Sequence, residues 1–193
     1  MEGSSAPPND ATAVAVRLAG SLRRRRQQYA LGGAIALGYW ATPRGTMDVD
    51  LTLFLPPEKP YACLSLLQDL GCEMDTPRAL SSLQENGFCQ VICRGLRVDV
   101  FLPTLPFYET AKSRRKEVKL GDQRITIWDA ETLAVFKMMF FRRKDVADVE
   151  QILRAGGKDF DRPWVREQLV AIYGPRDPRI GEWDVLCDEV RAQ

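Results

Sequence analysis

The segment Met47 to Leu55, MDVDLTLFL, constrains this chain more than any other. Asp48, Asp50 and Thr52 alternate with Val49, Leu51 and Leu53. A period of two marks a β-strand with one apolar face, and Pro56-Pro57 ends it. Asp is disfavoured in strands, yet two of them share the polar face here, their Cα atoms roughly 6.5–7 Å apart. Two readings follow. The face is simply solvated, or the two carboxylates lean onto shared cations.

A second strand pair bears on that choice. Phe88 to Cys93 and Leu96 to Leu102 read as strands, and Arg94-Gly95 between them reads as a tight hairpin turn. Asp99 shares a face with Arg97 and Phe101, opposite Val98, Val100 and Leu102. Asp48, Asp50 and Asp99 on neighbouring strands would repel one another without bound cations. Oxygen donors of this kind suit Mg2+, and a pair of such ions about 3.5–4 Å apart needs bridging acids.

The remaining text places these strands in an α/β frame. A helix is expected from Thr12 to about Gln28, ending in Arg23–Arg26. Those cations either complement the helix dipole or contact RNA. Tyr29-Ala30-Leu31 runs into Gly32-Gly33, which is either a plain turn or a place where backbone N–H groups approach a phosphate. A short helix over Ala34–Trp40 is broken by Pro43-Arg44-Gly45. Tyr61 to Leu70 is amphipathic and closed by Gly71, and Gln123 to Trp128 is a further strand. From Asp129, an N-cap candidate, the text is helical: Glu131 to about Arg154, Pro163 to Tyr173, and Gly181 to Ala192. The expected fold class is α/β (α+β), a mixed sheet flanked by helices with a C-terminal helical region. The expected divisions are a disordered tail over 1–10, a catalytic domain over 11–128, and a helical region over 129–193 packed on it.

Composition narrows the chemistry. There is no histidine, so neither a Ser-His-Asp triad nor a histidine metal site can form. The five cysteines, Cys63, Cys72, Cys89, Cys93 and Cys187, lack zinc-knuckle spacing and suit a reducing compartment as core thiols. The net charge of +1 gives no global field toward nucleic acid or membrane. The N-terminus lacks the pattern of a signal peptide, and no apolar run approaches a membrane span. A cytoplasmic location is the expectation.

The segment YALGGAIALGYWATPRGTMDVDLTLFL resembles the nucleotidyltransferase superfamily, and bacterial abortive-infection-type, toxin-like members and their relatives most of all. The resemblance lies in Gly32, Gly33, Arg44, Thr46, Asp48, Asp50 and Leu51, followed by Val98-Asp99-Val100-Phe101. It covers about residues 28–155. A departure is that many members carry Gly-Ser where this chain has Gly32-Gly33. The resemblance implies the nucleotidyltransferase fold, two Mg2+ ions on Asp48, Asp50 and Asp99 with Mn2+ as a second candidate, and contact of the Gly pair with triphosphate. Arg44 and Thr46 belong to the same nucleotide-binding block.

A later block, LAVFKMMFFRRKDVADVEQIL, is similar to the relatives' Lys followed by Lys-Asp-x-x-Asp. On a continuous helix Lys137, Lys144 and Asp148 would share a stripe. The resemblance implies that Lys137 meets nucleotide phosphate, with Lys144, Asp145 and Asp148 near it or bracing it. An internal ion pair among these charges is the other reading.

The expected activity is transfer of a nucleoside monophosphate from an NTP, ATP among the candidates, to an acceptor hydroxyl. RNA, a protein and a small molecule all remain candidate acceptors, with the basic segments Arg23–Arg26 and Lys112–Lys116 leaning toward a polyanion. An antitoxin or a second copy of the chain is a candidate partner. The alternative is a non-catalytic module that binds nucleotide or a protein partner on the same fold.

Overall fold

The structure is a computed structural model and describes residues 10–191. Apart from Asp10, the expected tail over 1–10 lies outside the described residues. Cα packing divides the chain into two compact units. The first comprises the described residues up to Leu31, Gly45–Leu105 and Glu117–Thr126; the second comprises Gly32–Arg44, Pro106–Lys116 and Ile127 onward. The composition change at Asp129 is thus one of several crossings. Residues 32–44 and 106–116 pack with the C-terminal helices because Ala34, Ala36, Leu37, Phe107, Tyr108 and Ala111 are themselves buried apolar residues.

The first unit begins with α1 (Ala11–Arg24), capped by Asp10, whose side chain accepts from the Thr12 N–H. Val14, Leu18 and Leu22 recur every four residues and are buried, so the helix packs its apolar stripe on the neighbouring strands β1 (Tyr29–Leu31) and β2 (Asp48–Leu53). Then follow α3 (Pro60–Asp69), β3 (Cys72–Glu73), α4 (Thr76–Asn86), β4 (Phe88–Cys93) and β5 (Leu96–Phe101), with α2 of the second unit lying earlier in the chain at Gly33–Trp40. The last two strands, β6 (Lys116–Leu120) and β7 (Gln123–Ile127), both follow α5 (Phe107–Ser113) in sequence.

The seven strands among the described residues form one sheet in the order β3-β4-β5-β2-β1-β7-β6. The sheet is mixed: β2 and β5 run parallel, while β1–β2, β3–β4 and β4–β5 are antiparallel. On one face Val49, Leu51, Leu53, Val98 and Val100 are fully buried, as the alternation requires. The hairpin at Arg94-Gly95 has positive φ at both residues, 53° and 76°, the geometry of a type I′ turn. The expected strand at 47–55 and helix at 61–70 are found within a residue or two at each end.

The second unit is helical. Besides α2 and α5 it contains α6 (Ala130–Phe140), α7 (Arg143–Gly156), α8 (Arg162–Tyr173) and α9 (Pro178–Arg191). Asp129 caps α6 by accepting from the Thr132 N–H at 3.0 Å. The helix expected to run unbroken from Glu131 to about Arg154 is two helices instead. Phe141 adopts the left-handed conformation with φ 54°, and Arg142 is extended. Tertiary partners support the break. The Arg179 Nε donates to the Met138 carbonyl at 3.1 Å, and its guanidinium lies 5.1 Å from the Phe141 ring centre. The Asp145 carboxylate takes the Arg142 backbone N–H at 3.3 Å and its guanidinium at 2.6 Å.

All five cysteines are free and buried, as expected of core thiols. No helix of the described residues is long and apolar enough to cross a membrane.

Gly87 sets the entry to β4. It closes α4 in the left-handed region at φ +63°, and an added Cβ would collide with the Thr104 methyl. Its carbonyl accepts from the Leu102 N–H at 2.7 Å. Gly87→Ala should therefore lower stability by about 2 kcal/mol or more in urea unfolding. Gly45→Ala, where the added Cβ meets nothing within 4 Å, should change it by less than about 0.5 kcal/mol.

Candidate active site

The parallel pairing of β2 and β5 sets the register of the acidic residues. Asp50 lies directly opposite Asp99, and Asp48 lies opposite Arg97. Neighbouring strands are about 4.8 Å apart, so three acids from two strands occupy one small area of the polar face. Each is only partly exposed. Both strands bury the intervening valines, and that holds the carboxylates on this face: slipping either strand by one residue would turn its own Asp residues into the core.

Two groups of the same unit steady the cluster. The Thr46 hydroxyl donates to Asp48 Oδ1 at 2.6 Å, and the Asp48 N–H donates back to Thr46 Oγ1 at 3.4 Å. Arg97 donates through Nη2 to Asp48 Oδ2 and faces Asp99 Oδ1 with its Nε at 3.4 Å. The Asp48 hydrogen bond, then the charge of Asp99, hold the guanidinium more firmly in its charged form. Arg97 entered the sequence reading only as a neighbour of Asp99. The signal for more was present: a cation two residues from an acid on a strand must share its face.

Among the described residues, no three His, Cys, Asp or Glu side chains converge closely enough to hold a metal ion as they stand. The donor set nonetheless suits Mg2+. It is all carboxylate oxygen, and one cationic group already engages both Asp48 and Asp99, so both side chains reach a shared positive charge.

Next to the cluster, within the same unit, is a cavity of about 310 Å3. Glu73, Arg78, Gln90, Ile92 and Arg97 are among its lining residues. Gln90 is the β4 residue opposite Asp99, so the cavity opens beside the acids on the same face of the sheet.

The other residues singled out from sequence lie in the second unit. Gly32 is the N-cap of α2, and Gly33 has φ 51°, a conformation that favours glycine at this junction. Lys137 is buried, and its Nζ donates to Asp148 Oδ2 at 2.6 Å and lies 3.8 Å from Asp145 Oδ1. Arg44 grips the same Asp148 in two-pronged fashion, Nε to Oδ1 at 3.2 Å and Nη2 to Oδ2 at 3.1 Å. Lys144 is exposed. The geometry thus gives Lys137, Asp145 and Asp148 the internal ion pairing that was one of their two readings, and the break after Phe140 places them on facing helices rather than along one stripe.

The basic segment at 112–116 is also partly committed to structure. Arg114 pairs with Asp129 at 2.8 Å and with Glu131 at 3.1 Å, and stacks over Trp164 at 4.1 Å.

Burial alone would raise the pKa of Asp148, but hydrogen bonds from Arg44 and Lys137 outweigh it and hold the carboxyl below its ordinary value. Such a group binds fewer protons folded than unfolded. Its contribution is complete above the ordinary carboxylate pKa of about 3.9 and fades as pH falls through the lower native value. Asp148→Asn leaves Lys137 buried against a neutral amide. It should cost about 3–5 kcal/mol in urea unfolding at pH 7, and the deficit should shrink on acidification below about pH 4.

No protein-family model matches this sequence, and no curated protein does. Solved structures do. A nucleotidyltransferase-like antigenic protein from Paracoccidioides brasiliensis superposes with TM-score 0.52 at 16% identity, over 91% of this chain and 94% of its own. The antibiotic-resistance factor ANT(2'')-Ia gives 0.54 at 13%, over 95% of this chain and 93% of its own. The lincosamide antibiotic adenylyltransferase LnuA gives 0.54 at 12%, over 75% of this chain and 97% of its own. Identity this low speaks to architecture, and on that ground the chain has the nucleotidyltransferase fold.

Proposed function

We propose that this protein transfers a nucleoside monophosphate from an NTP to an acceptor hydroxyl, using Asp48, Asp50 and Asp99. The observation that carries the reading is the register pairing of Asp50 with Asp99, with Asp48 two residues away on the same face. A structural role alone gives little reason to gather three acids there, since like charges side by side are costly.

In this reading the three carboxylates hold divalent ions, Mg2+ first and Mn2+ second, which would neutralise phosphate charge and lower the pKa of the acceptor hydroxyl. Thr46 holds Asp48 Oδ1 through its hydroxyl, while Oδ2 takes the Arg97 guanidinium. Asp99 accepts the proton of the acceptor as its oxygen attacks the α-phosphorus. The bond from the α-phosphorus to the bridging oxygen breaks, and pyrophosphate leaves with that electron pair. The protein's task is then chiefly positioning and charge stabilisation, as in other phosphoryl chemistry.

The names of ANT(2'')-Ia and LnuA, a resistance factor and an antibiotic adenylyltransferase, support a small hydroxylated acceptor and adenylyl transfer. The internal pairing of Arg114 removes part of the case for a polyanion. RNA and protein acceptors are separated from this reading by where the label goes.

The test is incubation with each α-labelled NTP, Mg2+ and a fractionated cell extract. Label should appear in the small-molecule fraction and vanish with chelator. Asp48→Asn and Asp50→Asn should lower the rate by roughly a hundredfold or more, since the lost electrostatic stabilisation is several kcal/mol. Undiminished transfer by both variants would show that these residues do not carry the chemistry.

A further inference from the structure

We infer that Arg97 is a resident counter-ion of the carboxylate cluster, which competes with divalent metal and must be displaced when metal loads. The inference rests on the proposed metal-binding role of Asp48, Asp50 and Asp99 and adds a residue that opposes it.

Arg97 sits opposite Asp48 across the β2–β5 pair and two residues before Asp99 on the same strand face. Its guanidinium therefore touches the first acid from its Nη2 and the third from its Nε. The charge of Asp50 acts on it as well, in the same direction. One side chain thus stands among all three acids. Three carboxylates on one face of two strands repel one another when no metal is bound, and this arginine offsets part of that repulsion.

The pairing is built to be given up. The Arg97 side chain is 49% exposed and that of Asp48 is 25% exposed. Exposed pairs of this kind contribute little, less than a divalent ion gains from several carboxylates. A guanidinium offers rigid planar donors and one positive charge; Mg2+ offers two charges in a compact sphere. Both cannot lean on the same Asp48 and Asp99 oxygens. A displaced Arg97 has somewhere to go, because it already forms part of the wall of the 310 Å3 cavity, whose lining also includes the acidic Glu73 and Asp75.

Removing a merely structural arginine loosens a site. Removing a competitor tightens it, and the sign of the change separates the two. The experiment is titration of Mn2+ into the full chain, followed by the electron paramagnetic resonance signal of the free ion and by calorimetry, for wild type, Arg97→Gln, Arg97→Lys and Asp48→Asn.

Arg97→Gln should bind Mn2+ roughly tenfold more tightly than wild type, the scale expected for losing one charge a few Å away at a half-exposed site. Arg97→Lys, which keeps the charge and loses the fork, should fall between. Without metal, the unfolding midpoint of Arg97→Gln should be lower than that of wild type, and saturating Mn2+ should raise it by more. Equal or weaker Mn2+ binding by a folded Arg97→Gln would overturn the inference, while loss of binding in Asp48→Asn would leave the metal site standing. If neither wild type nor Arg97→Gln binds Mn2+, the metal-binding reading itself fails, and the inference with it.

Discussion

The pairing of β2 with β5 in parallel is the contact on which the rest of the site depends. It joins a strand near residue 50 to one near residue 99, and no short loop can make a parallel pair. The intervening chain must supply a crossover, which it does with α3, β3, α4 and β4. What pins the register is burial: Val49, Leu51, Val98 and Val100 have no exposure at all. Four such side chains stabilise the pair by several kcal/mol, at roughly 1.5–3 kcal/mol each. A one-residue slip of β2 would forfeit much of that and also bury Asp48 and Asp50. The carboxylates are therefore placed by the apolar residues between them, and the repulsion among the acids is tolerated rather than favourable.

Much of this was readable in the sequence. Alternation over MDVDLTLFL and LRVDVF fixes which residues share a face, and the face assignments of Asp48, Asp50, Asp99 and Arg97 follow from the period of two alone. What alternation does not carry is which strand lies beside which. That depends on pairing across about fifty residues of sequence, a tertiary property with no local code. The same limit explains Arg97. Its strand face was legible, but its contact with Asp48 requires knowing that β2 is the neighbour of β5.

The break between α6 and α7 was not legible, for a different reason. Helices ordinarily announce their ends with Gly, Asn or Pro, and the text at Phe140-Phe141-Arg142 contains none. A left-handed Phe costs about 1–2 kcal/mol. That cost is met by partners distant in sequence, above all Arg179, which takes the Met138 carbonyl and packs on the Phe141 ring. A reader of residues 131–154 alone has no access to residue 179. The edge strands β3 and β6 were missed because two and five residues, mostly polar, carry too little alternation to register.

The two charge clusters of this protein look alike as lists of residues and differ in physics. Lys137 and Asp148 have side chains 5% and 4% exposed. Separating them leaves two charges under-compensated in a poorly hydrated place, at about 3–5 kcal/mol, so thermal motion leaves the pair closed, and Arg44 on Asp148 and Asp145 beside Lys137 add to its permanence. Arg97 and Asp48 stand at 49% and 25%, where water takes up much of the loss when the pair opens, and about 1 kcal/mol or less holds it closed. At that scale the open form is populated to at least about a tenth. One cluster is a fixture of the helical unit. The other exchanges partners at low cost, and that is what a surface must do if it is to hold a cation for part of a cycle and release it afterwards. Burial, rather than the identity of the charged groups, separates the acids of this chain that are locked into pairs from those that can change partner.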